Sequence, residues 1–325
     1  MEILSLAEVQ AKAEAVLVAH KISAANAKSV ATALVSAQAD GLGTHGLLRL
    51  GTYAAQANCG KVDGFAVPNL SQTAPSALIV DAANGFAYPA IDLAINALVP
   101  VAAAQGIAAV AITRSGHCGA MGLAVERLAE RGLIAIMFAN APAAMAPWGG
   151  QTPLMGTNPI ASAFPRPDNP PVVIDLSLSK VARGNVVAAA QRGEAIPDDW
   201  ALDVDGNPTT NAKAALAGTM LPLGGAKGAA LALMVEAMAA GLTGSHFAFE
   251  ASSFLDAKGP PPGTGQFIIA INPALFGLGV SHIERLFAAV AAEKNARLPG
   301  ERRLANRQKA AREGLEVQES WFAGS

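Results

Sequence analysis

Gly41-Leu42-Gly43-Thr44-His45-Gly46 spells G-x-G-x-x-G, the glycine spacing of a turn that cradles a dinucleotide between a β-strand and a helix. Its surroundings argue against that reading. A nucleotide-binding turn follows a strand, opens a helix, and has an acidic residue about 20 positions on, at the end of a second strand. Here residues 29–40 are alanine-rich, with helical spacing at Val30, Leu34 and Val35. Asp63, near the required offset, lies in the turn-like run Gly60-Lys-Val-Asp-Gly64. A helix before and a turn after predict a helix end at this point and not a Rossmann crossover. What remains is chemistry: the Thr44 hydroxyl, the His45 imidazole that titrates near neutrality, and the fixed cation of Arg49.

Outward from this stretch, residues 5–58 read as three helices. Ser5 and Glu8 form a capping-box signature before the stripe Leu6, Val9, Val16 and Leu17. Ser23 is the N-cap expected for the second helix, which stops near Gly41, and the third runs from about Gly46 toward Cys59-Gly60. Turn signals follow at 62–64 and 67–69. Strands are then predicted at 77–81, 106–113, 132–138, 160–164, 171–176 and 266–271. Helices are predicted at 90–105, 121–131, 227–242, 281–298 and 301–313. The alternation defines an α/β fold with helical ends. It divides into a helical part over 1–75, an α/β core over 76–270, and C-terminal helices over 271–325 that pack back on the first part. Gly259–Gly265, with three prolines, reads as a stiff surface loop.

The chain has 325 residues, enough to bury roughly three quarters of its unfolded surface. It is 52% hydrophobic and only 5% aromatic, with alanine carrying much of the excess, which suits close helix packing and an oligomer interface. A net charge of −2 gives no electrostatic case for nucleic acid or an anionic membrane. Cys59 and Cys118 are too few for a disulfide framework. The N-terminus lacks a basic region and a signal-peptide core, and Pro, Gly, Asn or charge interrupts every apolar run before the ~20 residues that span a bilayer. A cytoplasmic protein is expected.

Several further segments carry chemistry, each with a plainer alternative. His45 sits between glycines that leave room for a ligand, and if helix continues from it, Arg49 shares its face and can clamp a carboxylate. The same residues also fit a surface turn with an incidental histidine. Arg114-Ser-Gly-His117-Cys118-Gly119-Ala120-Met121 joins a strand to a helix, where free N–H groups suit a pyrophosphate; an empty tight turn reads equally. No metal-ligand spacing accompanies His117. Asp175-Leu176-Ser177 closes a strand, and Arg183-Gly184-Asn185 follows; Ser177 or Ser179 could instead cap a helix. Ala226-Lys227 puts a cation at a helix start against the macrodipole, a conflict that an anion would resolve. Glu236, in an apolar helix, reads as a buried structural carboxylate with a partner. Arg302 and Arg303 can reach a phosphate or lie on a solvated face.

Six motifs occur in order: Thr44-His-Gly-Leu-Leu-Arg49, His117-Cys-Gly-Ala-Met121, Ala146-Pro-Trp-Gly-Gly150, Gly156-Thr-Asn-Pro-Ile160, Ile196-Pro-Asp-Asp-Trp200 and Leu221-Pro-Leu-Gly-Gly-Ala-Lys-Gly228. Together they resemble the malate/L-lactate dehydrogenase family of NAD(P)-dependent oxidoreductases, whose fold is not a Rossmann fold. Segments 62–68, 81–89, 243–250 and 299–303 are similar to its Δ1-piperideine-2-carboxylate/Δ1-pyrroline-2-carboxylate reductases. The resemblance implies a homodimer that uses NADPH, with NADH left open, to reduce a cyclic imino acid to L-proline or L-pipecolate.

It also implies roles. His45 is the proton donor, Thr44 stands where the family usually has serine, and Arg49 holds the substrate carboxylate. His117–Met121, Asp175–Ser177, Ala226-Lys227 and the Arg302-Arg303 segment contact the cofactor, with Arg183-Gly184 beside nicotinamide and substrate. Asn185 stands where some reductases carry an aspartate, so a carboxylate relay to His45 lacks its charge, and Ala226 replaces a usual histidine. The alternatives are a 2-oxo acid reductase with a malate-, lactate- or sulfolactate-like substrate, or a relative that binds cofactor without turnover.

Overall fold

The computed structural model describes residues 2–277 and 279–322. The chain opens with β1 (Glu2–Leu4), α1 (Leu6–Ala19), α2 (Ala24–Ala39) and α3 (Leu50–Asn58). The sheet region follows with β2 (Asn69–Ala74), β3 (Ala77–Asp81), α4 (Ala87–Gln105), β4 (Ile107–Ser115), α5 (Met121–Ala129), β5 (Ile134–Ala139), β6 (Ile160–Phe164) and β7 (Val172–Leu176). Next come α6 (Arg183–Arg192), β8 (Ala201–Leu202), α7 (Ala212–Ala217), β9 (Thr219–Met220), α8 (Ala226–Glu236) and β10 (Thr264–Ile271). The chain closes with α9 (Gly279–Ala292), α10 (Glu301–Glu313) and β11 (Leu315–Val317).

Seven strands form one mixed sheet in the order β2-β3-β4-β10-β5-β6-β7. Only β3 and β4 run parallel, because the α4 crossover joins them; the other neighbours are antiparallel. Side chains alternate across the pleat, so β10 sends Ile268 and Ala270 to one face and Phe267 and Ile269 to the other. The first face is covered by α4 and α5, and the second by α6, α7 and α8. With both faces covered, these strands read as apolar runs, which is why six of the seven were predictable. A third core joins α1, α2 and α3 with Phe86, Tyr88 and the β1–β11 pair. The helix α4 is apolar and long enough to cross a membrane by composition, but here it packs through Ile91, Ile95 and Leu98 in the sheet's core.

Both N-terminal caps are as expected: Ser5 and Glu8 close a full capping box, and the Ser23 side chain accepts from the Asn26 N–H. Other expectations are corrected. Residues 69–74, read partly as a turn, form the edge strand β2, whose residues are all exposed and polar enough to carry no alternation. The hairpin β2–β3 therefore crosses the expected boundary at residue 75. The helix α6 has an Ala182 N-cap with no side-chain bond, and neither Ser177 nor Ser179 caps it; their hydroxyls lie 3.2 Å apart. In the Gly259–Gly265 loop the last four residues are buried as they enter β10, so only its start is a surface loop. Of the C-terminal helices, α10 packs on α2, whereas α9 lies at the far edge of the sheet, where Glu284 pairs with Arg166 and Phe287 meets Phe164.

Candidate active site

The loop that leaves α2 explains its glycines without a nucleotide. Gly41 takes a left-handed φ of +78° as the helix ends, and a Cβ there would meet the Asn306 side chain at 2.4 Å. A Cβ on Gly46 would come within 2.5 Å of the Gln38 side chain, whose Oε1 accepts the Leu47 N–H. Two short 3₁₀ turns, Gly43–His45 and Leu47–Arg49, precede α3. The chain extends at Gly46 between them, so His45 and Arg49 do not share an α-helical face as the spacing had predicted. Arg49 returns by another route: its Nε donates to the Thr44 carbonyl at 2.9 Å.

His45 stacks on His117 from the β4–α5 turn, with ring centroids 5.7 Å apart and planes inclined by 18°. The Thr44 hydroxyl is 3.2 Å from His45 Nδ1. Loss of water, then the Arg49 charge, pull the His45 pKa down to about 4, and the same two influences hold His117 well below its usual value. Behind His117 stand the molecule's two tyrosines, both buried: Tyr53 OH lies 2.6 Å from His117 Nδ1 and 2.9 Å from Tyr88 OH. Phe254 packs its ring on His117 at 5.1 Å. Gln56 and the buried Lys61 hold the loop that carries Phe254, both through backbone carbonyls; Lys61 Nζ donates to Ser253, Asp256 and Lys258. None of Tyr53, Tyr88, Phe254 or Lys61 was picked out from sequence. The signal available was rarity: two tyrosines in 325 residues.

Gly184 brings the α6 start to this loop, for a Cβ on it would lie 3.7 Å from Thr44 Cγ2. Arg183 beside it is half-buried and donates to the Ala143 carbonyl at 3.4 Å. Burial alone lowers its pKa, with no anion near enough to offset it. Among the described residues neither Arg49 nor Arg183 has a carboxylate partner. Asn185 is exposed at the same helix start.

The residues expected around a cofactor are arranged unevenly. Asp175 Oδ2 accepts the Gly122 N–H at 2.7 Å, so a carboxylate already occupies the first turn of α5. A pyrophosphate on the His117–Met121 turn would lie beside this carboxylate, which by itself suits sugar hydroxyls. Cys118 is half-buried, and burial pushes its thiol up to about 12, which leaves it unreactive. Leu176 is exposed and Ser177 is turned toward Ser179. The start of α8 is different: Gly225 has a φ of +65° with no side-chain cap, and Ala226 and Lys227 are exposed. This start is without a capping side chain, the kind of helix end that suits an anion. A Cβ on Gly225 would touch the Trp148 ring at 3.3 Å, which ties this turn to the 146–150 motif.

Arg303 is placed elsewhere. It and Arg307 grip Asp40 and Glu126 through six hydrogen bonds of 2.7–2.9 Å, and Asp40 and Glu126 are almost fully buried. This knot fastens α10 to α2 and α5 and takes the Arg303 guanidinium away from the phosphate role; Arg302 stays exposed. Glu236 is a buried carboxylate as expected, and its partners are amides: Asn140 and Asn158 Nδ2 and the Ala248 N–H.

The site thus brings together two stacked histidines and, among the described residues, an arginine with no carboxylate partner, on a sheet without the Rossmann strand order. The malate/L-lactate dehydrogenase family profile matches residues 4–323, and the chain belongs to that family. It is 51% identical over 318 residues to the (2R)-3-sulfolactate dehydrogenase (NADP(+)) of Chromohalobacter salexigens, covering 98% of this chain and 95% of that one. It is 42% identical over 325 residues to a Δ1-pyrroline-2-carboxylate/Δ1-piperideine-2-carboxylate reductase of Pseudomonas putida, covering 98% and 94%. The solved Δ1-piperideine-2-carboxylate reductase of Pseudomonas syringae superposes with a TM-score of 0.94 at 37% identity, covering 99% of this chain and 98% of that chain. The protein is thus an oxidoreductase with the fold of this family.

Proposed function

We propose that the protein is an NADP(H)-dependent oxidoreductase for a small 2-oxo acid that carries a second anionic group, with 3-sulfopyruvate and (2R)-3-sulfolactate as the pair that fits. The observation that carries this reading is two half-buried arginines without carboxylate partners among the described residues: Arg49 at the Thr44–His45 loop, and Arg183 at the start of α6, where its neighbour Gly184 meets Thr44. A dianion satisfies both. A protonated cyclic imino acid offers one carboxylate and brings a further positive charge, so one guanidinium would stay uncompensated. The 51% identity to an enzyme named for sulfolactate supports the same choice.

The residues then divide the work. Arg49 binds the carboxylate with its planar fork and Arg183 takes the second anion. A nicotinamide held here would supply or accept the hydride at C2. His45 holds the proton that goes to the C2 oxygen on reduction and takes it back on oxidation. Its pKa of about 4 leaves it neutral in the free protein, ready to act as base. Burial is the larger cause of that lowering and the Arg49 charge the lesser; a substrate carboxylate on Arg49 would offset the lesser one and favour the protonated form needed for reduction. For the cofactor, Asp175 would receive sugar hydroxyls, Lys227 and the α8 start a phosphate, and the exposed Arg302 the 2′-phosphate of NADPH. Thr44 orients His45, and Asn185 offers it no carboxylate.

A second reading, reduction of Δ1-pyrroline- or Δ1-piperideine-2-carboxylate, draws on the TM-score of 0.94 to the piperideine-carboxylate reductase. NADPH oxidation with 3-sulfopyruvate, Δ1-pyrroline-2-carboxylate and pyruvate side by side separates them. The dianion is expected to give the highest kcat/KM, and a cyclic imine that outruns it would reverse the assignment. His45→Gln should lower turnover on the preferred substrate by about 10²–10⁴-fold while leaving NADPH binding intact.

A further inference from the structure

Tyr53 lies outside every motif that pointed to function, yet it makes the shortest contact to the site's second histidine. It is fully buried on α3, and its hydroxyl sits between two partners, His117 Nδ1 at 2.6 Å and Tyr88 OH at 2.9 Å. Its ring is held from the sides by Phe86 and Tyr88. Both phenols keep their protons, since burial raises the Tyr53 pKa to about 12 and that of Tyr88 well above its usual value.

Two proton arrangements fit these oxygen and nitrogen positions. In one, Tyr88 donates to Tyr53 and Tyr53 donates to His117 Nδ1, so the imidazole proton is on Nε2. In the other, His117 Nδ1–H donates to Tyr53 and Tyr53 donates to Tyr88. The second leaves the Tyr88 proton without an acceptor, because among the described residues its hydroxyl has Tyr53 alone. A stranded buried donor is more costly than a spare lone pair on oxygen, which already has one partner. The first arrangement therefore wins.

We propose that Tyr53 is a positioning residue that fixes His117 as the Nε2–H tautomer and so gives the active site a second, neutral hydrogen-bond donor beside His45. Among the described residues no hydrogen-bond partner stands at His117 Nε2 and the residue is only half-buried, so its proton is free for a carbonyl or amide oxygen of substrate or nicotinamide. The stack on His45 and the Phe254 ring hold the imidazole plane, and Tyr53 sets which edge carries the proton. This rests on the reductase reading only in what the donor contacts; the tautomer is a property of the free protein.

The test is nitrogen NMR of the whole protein labelled at its five histidines, with the His117 signals assigned by their loss in His117→Asn. The wild type is expected to show a bare Nδ1 and a protonated Nε2 at His117. In Tyr53→Phe, which keeps the ring, the two tautomers should mix, and the His117 titration should move up, since the donor that opposed protonation is gone. Turnover should fall about tenfold, the scale of one lost hydrogen bond, with the acid limb of its pH profile displaced. Tyr88→Phe is the contrast: Tyr53 still donates to Nδ1, so the tautomer should hold and turnover should stay within about twofold. A wild-type His117 protonated at Nδ1 would overturn the proposal whatever the variants do. So would a Tyr53→Phe protein whose tautomer is unchanged, or a Tyr88→Phe protein that loses it equally. If the tautomer behaves as stated but no substrate turns over, the reductase reading fails and the proposal stands.

Discussion

Two pairs of arginines in this molecule are treated oppositely. Arg303 and Arg307 meet Asp40, at the end of α2, and Glu126 on α5, in a knot with two charges of each sign. Burial by itself would raise the Glu126 pKa, but the two guanidiniums outweigh it and hold the carboxyl below its ordinary value. Arg49, just before α3, and Arg183, at the start of α6, have carbonyl oxygens and, among the described residues, no carboxylate. Closed charge sets hold elements together, whereas open ones wait for a ligand. The knot holds the fold together; the open pair is what we propose selects the ligand.

That contrast can be broken from either side. Arg303→Met leaves two buried carboxylates with one guanidinium and should cost about 3–5 kcal/mol of stability, read from urea unfolding. Turnover of the remaining folded protein at low temperature should be little changed. Arg49→Gln should do the reverse, lowering kcat/KM by about 10²–10³-fold, equivalent to the 2–5 kcal/mol of a truncated charge contact, with no loss of stability. A variant that lost both stability and activity in either case would erase the distinction. Arg302→Ala, at the exposed arginine proposed for the 2′-phosphate, should raise KM for NADPH about tenfold and leave NADH unaffected.

The smallest effect is a pH dependence. His45 and His117 both have folded pKa values below the unfolded value of 6.5, so the unfolded chain binds more protons between 6.5 and about 4. Their contribution to stability is present above 6.5 and lost as the pH falls through that window. The urea midpoint should drop on acidification from pH 6.5 to about 4, and the drop should be shallower in His45→Gln. An equal drop would mean that His45 is not desolvated.

The same contrast explains what could be read from sequence. Strands β3, β4, β5, β6, β7 and β10 were visible because burial on two faces leaves unbroken apolar runs. The edge strand β2 was hidden because an exposed edge needs no apolar residue, and α6 because its start has no capping side chain. His45 and Arg49 stood out as titratable and charged groups among glycines. Their geometry did not, since two 3₁₀ turns replaced the helix that the spacing implied. Tyr53, Tyr88 and His117 meet across 35 and 64 positions, and nothing local records such a meeting. The engagement of Arg303 by Asp40, 263 positions away, was equally invisible.

The central claim is that the second unpaired arginine selects a dianion. It is tested by the ratio of kcat/KM for 3-sulfopyruvate to that for pyruvate, in the wild type and in Arg183→Met. The expected result is a wild-type ratio of at least about tenfold that collapses toward one in the variant, with pyruvate turnover nearly unchanged. A wild-type ratio near one, or a preference that survives the loss of Arg183, would contradict it.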